Sequence, residues 1–151
     1  MPVIIVGADA PPGPQIAALL GERGGEVRAF VSEPGVAGAL RSHGVKVATG
    51  DISDASHVGG AALGCHSAVL VAPAATDGRE MAFAVDPAGV VAGWATAMAE
   101  AGVERIIWVS EDEEPGSLRA AAPQFAAVDT RGRSGAEVAA DVAAADDAAA
   151  G

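Results

Sequence analysis

The sequence predicts an α/β domain built on an open, doubly wound parallel sheet with helices on both faces. Short apolar runs recur through residues 1–110, and segments of helical periodicity separate them. Glycines punctuate the junctions where helices should stop. In order, Val3–Val6 is a continuous apolar run suited to a central strand buried on both faces. Pro14 to Arg23 places Ile16, Leu19 and Leu20 at helical spacing and ends at Gly24-Gly25. Glu26–Val31 is the second strand, Pro34–His43 a second helix closed by Gly44, and Val45–Ala48 the third strand. Residues 54–63 form a short helix before Gly64, and Ser67–Val71 is the fourth strand. A longer helix runs from Pro87 to Ala101, with Val90, Val91, Trp94 and Met98 on one stripe and Gly102 as its stop. Arg105–Val109, ending at Ser110, is the fifth strand, and the expected strand order is 3-2-1-4-5 in a three-layer α/β/α arrangement.

Beyond Ser110 the pattern weakens. Phe125–Val128 has the composition of a short sixth strand, and Ser134-x-x-Glu137 reads as a capping box opening a helix toward Ala145. The apolar face of that helix holds only Val138, Val142 and alanines. The expectation is therefore a domain over residues 1–114, followed by an Ala-rich acidic segment over 115–151, either a loosely docked helix or disordered.

Bulk properties narrow the function. A chain of 151 residues is one domain with room for a substantial core. Its net charge of −11 repels nucleic acid and anionic membrane surfaces. No apolar stretch approaches the ~18 residues of a membrane span, and the N-terminus lacks a basic, then apolar leader pattern. One cysteine, Cys65, excludes an internal disulfide framework and reads as a small buried hydrophobe, so a cytoplasmic location is expected. His43, His57 and His66 are dispersed, with no pair at metal-binding helical spacing, and no metal site is expected.

The turn Gly7-Ala8-Asp9-Ala10-Pro11-Pro12-Gly13 follows the first strand and opens the first helix, as in domains that present backbone N–H groups to a pyrophosphate. Gly50-Asp51-Ile52-Ser53-Asp54 follows the third strand, and Gly102-Val103-Glu104-Arg105-Ile106-Ile107-Trp108-Val109-Ser110 contains the fifth. With these segments in this order, residues 1–110 resemble the NAD(P)-binding Rossmann half of atypical or extended short-chain dehydrogenases, including the NmrA-like group, truncated after the fifth strand. The resemblance implies that Gly7, Ala10 and Gly13 form the phosphate-facing turn and that Asp51 contacts the adenine, with Ile52 beside the ring. It also implies that Ala72 and Pro73 line the cofactor and that Ser110 occupies the family's serine position, where without catalytic partners it reads as a vestigial, hydrogen-bonded strand-end residue, so no catalytic residue is expected.

Departures from the family pattern bear on activity. Ala10 replaces the middle glycine, so its Cβ is expected to enter space used by phosphates or by a positive-φ backbone. Pro11 and Pro12 stand where amides would face phosphate, and proline has no N–H to give. The same prolines also serve as rigid helix-opening residues, and Asp51 alternatively caps the next helix. Family members that select NADP carry an arginine after the second strand; here stand Ser32 and Glu33, with Asp9 nearby, so NAD(H) is favoured over NADP(H). Arg28 is the one basic residue expected to reach that end. The family's Tyr and Lys pair is missing, since the chain has no Tyr and its single lysine, Lys46, lies at the third strand.

Two functional classes follow. One is a degenerate, non-catalytic relative acting as a binding, regulatory or complex subunit with weakened dinucleotide binding. It would assemble as a homo-oligomer or in a larger complex through an exposed fifth-strand edge and the helix 87–101 that carries Trp94 and Met98. The other is a small NAD(P)(H)-dependent oxidoreductase or isomerase, or an NmrA-like redox-sensing regulator, in which the nicotinamide itself carries the chemistry.

Overall fold

The computed structural model describes residues 1–148, and the last three residues of the Ala-rich segment lie outside them. Six parallel strands form one sheet in the order β3-β2-β1-β4-β5-β6. They are β1 (Val3–Val6), β2 (Val27–Val31), β3 (Val45–Thr49), β4 (Ser67–Val71), β5 (Arg105–Ser110) and β6 (Gln124–Asp129). The central strands β1, β4 and β5 are buried at every position, as continuous apolar runs covered on both faces must be. The helices are α1 (Gly13–Glu22), α2 (Ala37–Ser42), α3 (Ala55–Ala62), α4 (Pro87–Ala101), α5 (Gly116–Ala120) and α6 (Gly135–Asp147). On one face α1 packs against α6 and α2, and on the other α4 packs against α3 and α5.

Helix boundaries follow local chemistry. Asp86 caps α4 by accepting the Gly89 N–H at 2.8 Å, Pro87 stands in the first turn, and Gly102 ends the helix at φ +73°. Asp54, not Asp51, caps α3 by accepting the His57 N–H at 3.2 Å. Trp94 is fully buried and donates its indole N–H to the Ile52 carbonyl at 2.9 Å, tying α4 to the turn after β3. Cys65 is buried, and burial pushes its thiol pKa up, in keeping with a packing role.

Two expectations change and a third is narrowed. The sheet does not end at the fifth strand: β6 pairs in parallel with β5 from Arg105–Gln124 to Ser110–Asp129, so the proposed exposed edge of β5 is covered. Trp94 and Met98 are both fully buried, so the apolar stripe of α4 faces the core and offers no contact surface. Of the two expectations for the segment after Glu114, a loosely docked helix or disorder, the described residues show the helix, α6, and add α5 and β6 before it.

The apolar face of α6 is as small as the sequence implies, with Val138, Ala139 and Val142 buried, but polar anchors add to it. Arg105, 5 % exposed at the start of β5, donates to the carbonyls of Ala145, Asp146 and Ala148, each at 2.7–2.8 Å. The same guanidinium donates to the Gln124 side-chain oxygen on β6. At the helix rim, Arg23 at the end of α1 pairs with Asp146 at 2.7 Å and Asp147 at 2.8 Å. A buried cation on the last-turn carbonyls satisfies orphan acceptors and opposes the negative end of the helix.

Replacing Arg105 with Leu removes these charge-assisted bonds to the half-buried end of α6, a loss of about 2–4 kcal/mol. The urea midpoint should fall accordingly, and the amides of Val138–Ala145 should lose hydrogen-exchange protection before those of β1 and β4. Unchanged α6 protection in that variant would refute the anchoring role.

Candidate functional site

The carboxyl ends of the strands meet where β1 lies between β2 and β4, and the chain's direction of travel across the sheet reverses there. Gly7 leaves β1 at φ +85°, and a Cβ there would lie 2.5 Å from the Ala74 Cβ in the single turn Ala72–Ala75 after β4. A Cβ on Gly13 would lie 2.8 Å from the Ala8 backbone. Both glycines therefore serve close approach, and Gly7 also needs its left-handed conformation. Ala10 has no such need: no residue other than glycine has positive φ among the described residues. Its side chain is buried in the core, so the Cβ expected to intrude on phosphate space points elsewhere.

Two concavities flank this turn. The first, of about 380 Å³, is lined by Pro11 and Pro12, by Ala72 and Pro73, by Ser110 and by Arg133. Ser110 accepts the Asp112 N–H at 3.0 Å, which orients the hydroxyl and leaves its proton to donate. The second, of about 690 Å³, opens over the ends of β1, β2 and β3, where Asp9, Ser32 and Asp51 stand together. Both volumes lie within the range of small-molecule sites. Of the residues the family resemblance implied, Gly7, Ala10 and Gly13 build the turn from beneath. Pro12, Ala72, Pro73 and Ser110 line the first concavity, and Asp9, Ser32 and Asp51 the second. Ile52 is fully buried under the floor, its carbonyl occupied by Trp94.

The loop 77–86 straps across the second concavity. Asp51 Oδ2 accepts the Ala82 N–H at 2.7 Å, while Oδ1 accepts from the Ser53 N–H at 2.8 Å and its hydroxyl at 2.6 Å. The Ser53 hydroxyl in turn accepts the Phe83 N–H at 3.1 Å. Burial acts to raise the Asp51 carboxyl, but the bonds from Ser53 and Ala82 outweigh it and hold the pKa below the usual carboxylate range.

Arg79, on this loop, was invisible to the sequence reading. Its Nη1 lies 2.8 Å from Asp9 Oδ1 and 3.3 Å from the Ser32 hydroxyl, and its Nε lies 2.8 Å from Asp77 Oδ1. Its side chain is 14 % exposed and that of Asp9 only 4 %. Hydrogen bonding to Asp77 raises the Arg79 pKa, burial opposes this, and Asp9 adds to the rise. Arg79 in turn holds the Asp77 carboxyl below its ordinary value against burial. Arg28, expected to reach this end, instead binds Glu26 and the carbonyls of Ala61 and Leu63 near the end of α3. Forty-seven residues separate Ser32 from Arg79, and nothing in the local pattern of 77–86 signals that they meet.

Asp51 and Asp77 titrate below their unfolded values. Their stabilisation is therefore complete above the ordinary carboxyl range near pH 4 and is lost as pH falls through the lower folded-state values. The Ala82 and Phe83 amides should become exchange-labile in that acid window ahead of the sheet. Asp51→Ala should release the same amides at neutral pH at a cost of about 1–2 kcal/mol. Retained protection in the variant would show that the strap is held by other contacts.

No helix of the described residues is long and apolar enough to cross a membrane, and no group of three metal-binding side chains occurs among them. A search of curated proteins by sequence finds no match. Among solved structures, the chain is similar to ChuY, an anaerobillin reductase from Escherichia coli O157:H7. The TM-score is 0.71 and the identity 19 %, over 99 % of this chain and 92 % of that one. It is also similar to the Citrobacter sp. triphenylmethane reductase complexed with NADP(H), at TM-score 0.66 and 16 % identity, over 85 % of this chain and 49 % of that one. An NADPH-dependent quinone oxidoreductase of Escherichia coli follows at TM-score 0.52 and 20 % identity, over 78 % and 39 %. The chain thus spans about half or less of the latter two proteins, and at these identities the likeness shows a shared Rossmann-type fold. The family model described as NAD(P)H-binding matches residues 7–149, nearly the whole length, and the chain belongs to that NAD(P)H-binding family.

Proposed function

We propose that the protein is a small NAD(P)H-dependent reductase. The observation that supports this best is the pair of concavities on either side of the Gly7 turn, at the carboxyl ends of the strands, where open α/β sheets bind dinucleotides. The residues fit such a ligand: glycines give a close-packed turn, Ser32 and Asp51 offer polar groups at the β2 and β3 ends, and the smaller concavity leaves room beside Ser110. Family membership and the reductases among the structural neighbours support the same reading over a purely structural role.

When bound, the reduced nicotinamide supplies the hydride, so the protein needs chiefly to orient two partners. Asp9, Ser32 and Asp51 would hold the adenosine half and the turn Pro11–Pro12 the middle. Ala72 and Pro73 would wall the nicotinamide half. Ser110, its oxygen fixed by the Asp112 N–H, would donate a hydrogen bond to an acceptor oxygen or nitrogen in the smaller concavity, the proton that completes reduction coming from solvent. The prolines leave fewer amide donors for the phosphates, which lowers affinity without removing the site.

A second reading keeps binding and discards turnover. The sequence has no Tyr and its one lysine lies on β3, away from the smaller concavity, so the family's acid/base pair is missing. A redox-sensing regulator needs only the dinucleotide site. Hydride transfer separates the two.

Calorimetric titration should give a Kd on the order of 10 μM for a reduced dinucleotide, and no heat at millimolar ligand would sink both readings. With quinone, dye or tetrapyrrole acceptors, NADH or NADPH oxidation is expected. Binding without oxidation of either cofactor across that panel would favour the sensor. Ser110→Ala should lower kcat by about 10²-fold while leaving dinucleotide affinity nearly unchanged.

A further inference from the structure

The larger concavity is dominated by one sign of charge. Its ionisable lining is Asp9, Glu33, Asp51, Asp77 and Glu80 against the single cation Arg79. That cation is already committed. Arg79 donates from Nε and Nη2 to the two oxygens of Asp77, and from Nη1 to Asp9 and to the Ser32 hydroxyl. Four of the five guanidinium N–H groups are thereby engaged. Asp9 is equally fixed, because its other oxygen accepts the N–H groups of Ser32 at 2.9 Å and Glu33 at 3.1 Å.

A dinucleotide whose adenosine ribose carries a free 2′-hydroxyl asks little of this arrangement, since a hydroxyl finds acceptors among the carboxylates. A 2′-phosphate brings about two negative charges into the same space and finds one free N–H on Arg79, so a two-pronged grip on the guanidinium requires Asp77 or Asp9 to release it. Of the two, Asp77 is the exchangeable partner: it is one-third exposed, whereas Asp9 is nearly buried.

Building on the dinucleotide reading above, we propose that Asp77 is a specificity-determining residue: by holding the Arg79 fork it denies that cation to a 2′-phosphate and selects NAD(H) over NADP(H). Neutralising Asp77 then frees a cation beside Ser32 and shifts the preference toward the phosphorylated cofactor.

Fluorescence or calorimetric titration of the full chain with NADH and NADPH tests this without an acceptor. The wild type should bind NADH about tenfold or more tighter than NADPH. Asp77→Asn should improve NADPH affinity by about tenfold while moving NADH affinity less than about threefold. Asp77→Ser should move the ratio the same way, and adding Arg79→Gln to either variant should cancel the gain. A wild type that binds both equally or prefers NADPH overturns the proposal. So does an unmoved ratio in both Asp77 variants, or a gain that survives loss of Arg79. Failure of every variant to bind either cofactor overturns the dinucleotide reading and this proposal with it, whereas NADH binding with an unmoved ratio overturns this proposal alone.

Discussion

At Gly7 the chain turns out of β1 with no side chain, and Ala74 from the turn after β4 stands where a Cβ would lie. That contact brings the ends of β1 and β4 together at the middle of the sheet. Because the strands are parallel, every connection must cross a face before the next strand begins, so the ends of β1 to β5 share one rim. Residues separated by up to a hundred positions thus become neighbours: Pro11 and Pro12 face Pro73 and Ser110, and Asp9 faces Ser32 and Arg79. A side chain at residue 7 would have to push one turn away from the other, and the two concavities lie on either side of that seam. The glycine is the joint between the two concavities.

Around this joint the two halves differ in how they are held. The smaller concavity has prolines and Ala72 on one side and polar groups, Gln15, Thr76 and Arg133 among them, on the other, with Ser110 as its oriented hydroxyl. The larger one is a network of carboxylates, backbone amides and one guanidinium, closed over by the loop 77–86. A polar network of this kind in a partly enclosed space carries information about charge and register more than it adds stability.

The fold was largely legible because its signals are local. The runs Val3–Val6 and Ser67–Val71, the stop at Gly102 and the box Ser134–Glu137 each state their role within a few residues. What escaped is non-local. The segment Gln124–Asp129 reads weakly as a strand because it lies at the sheet edge, half exposed, with alanines where a central strand carries branched residues. The docking of α6 escaped because it draws on Arg105 and Arg23, respectively about 40 and 120 residues away. Ala10 and Ile52 were assigned to the site by motif position, yet both side chains turn into the core. Arg79 escaped for the opposite reason: it sits in a loop with no periodicity, and only the assembled sheet brings it to Asp9 and Ser32.

The partnership of α1 with α6 joins the first helix of the chain to the last. During synthesis the chain emerges from its N-terminus, so α1 and the start of β5 are made while the helix that covers them does not yet exist. Until residue 148 clears the ribosome, Arg105 lacks the carbonyls it binds in the finished fold. Native closure of the sheet's β6 side therefore follows synthesis of residue 148, and until then α1 and the start of β5 lack the helix that packs on them. The packing of α1 thus waits on a helix made more than a hundred residues later.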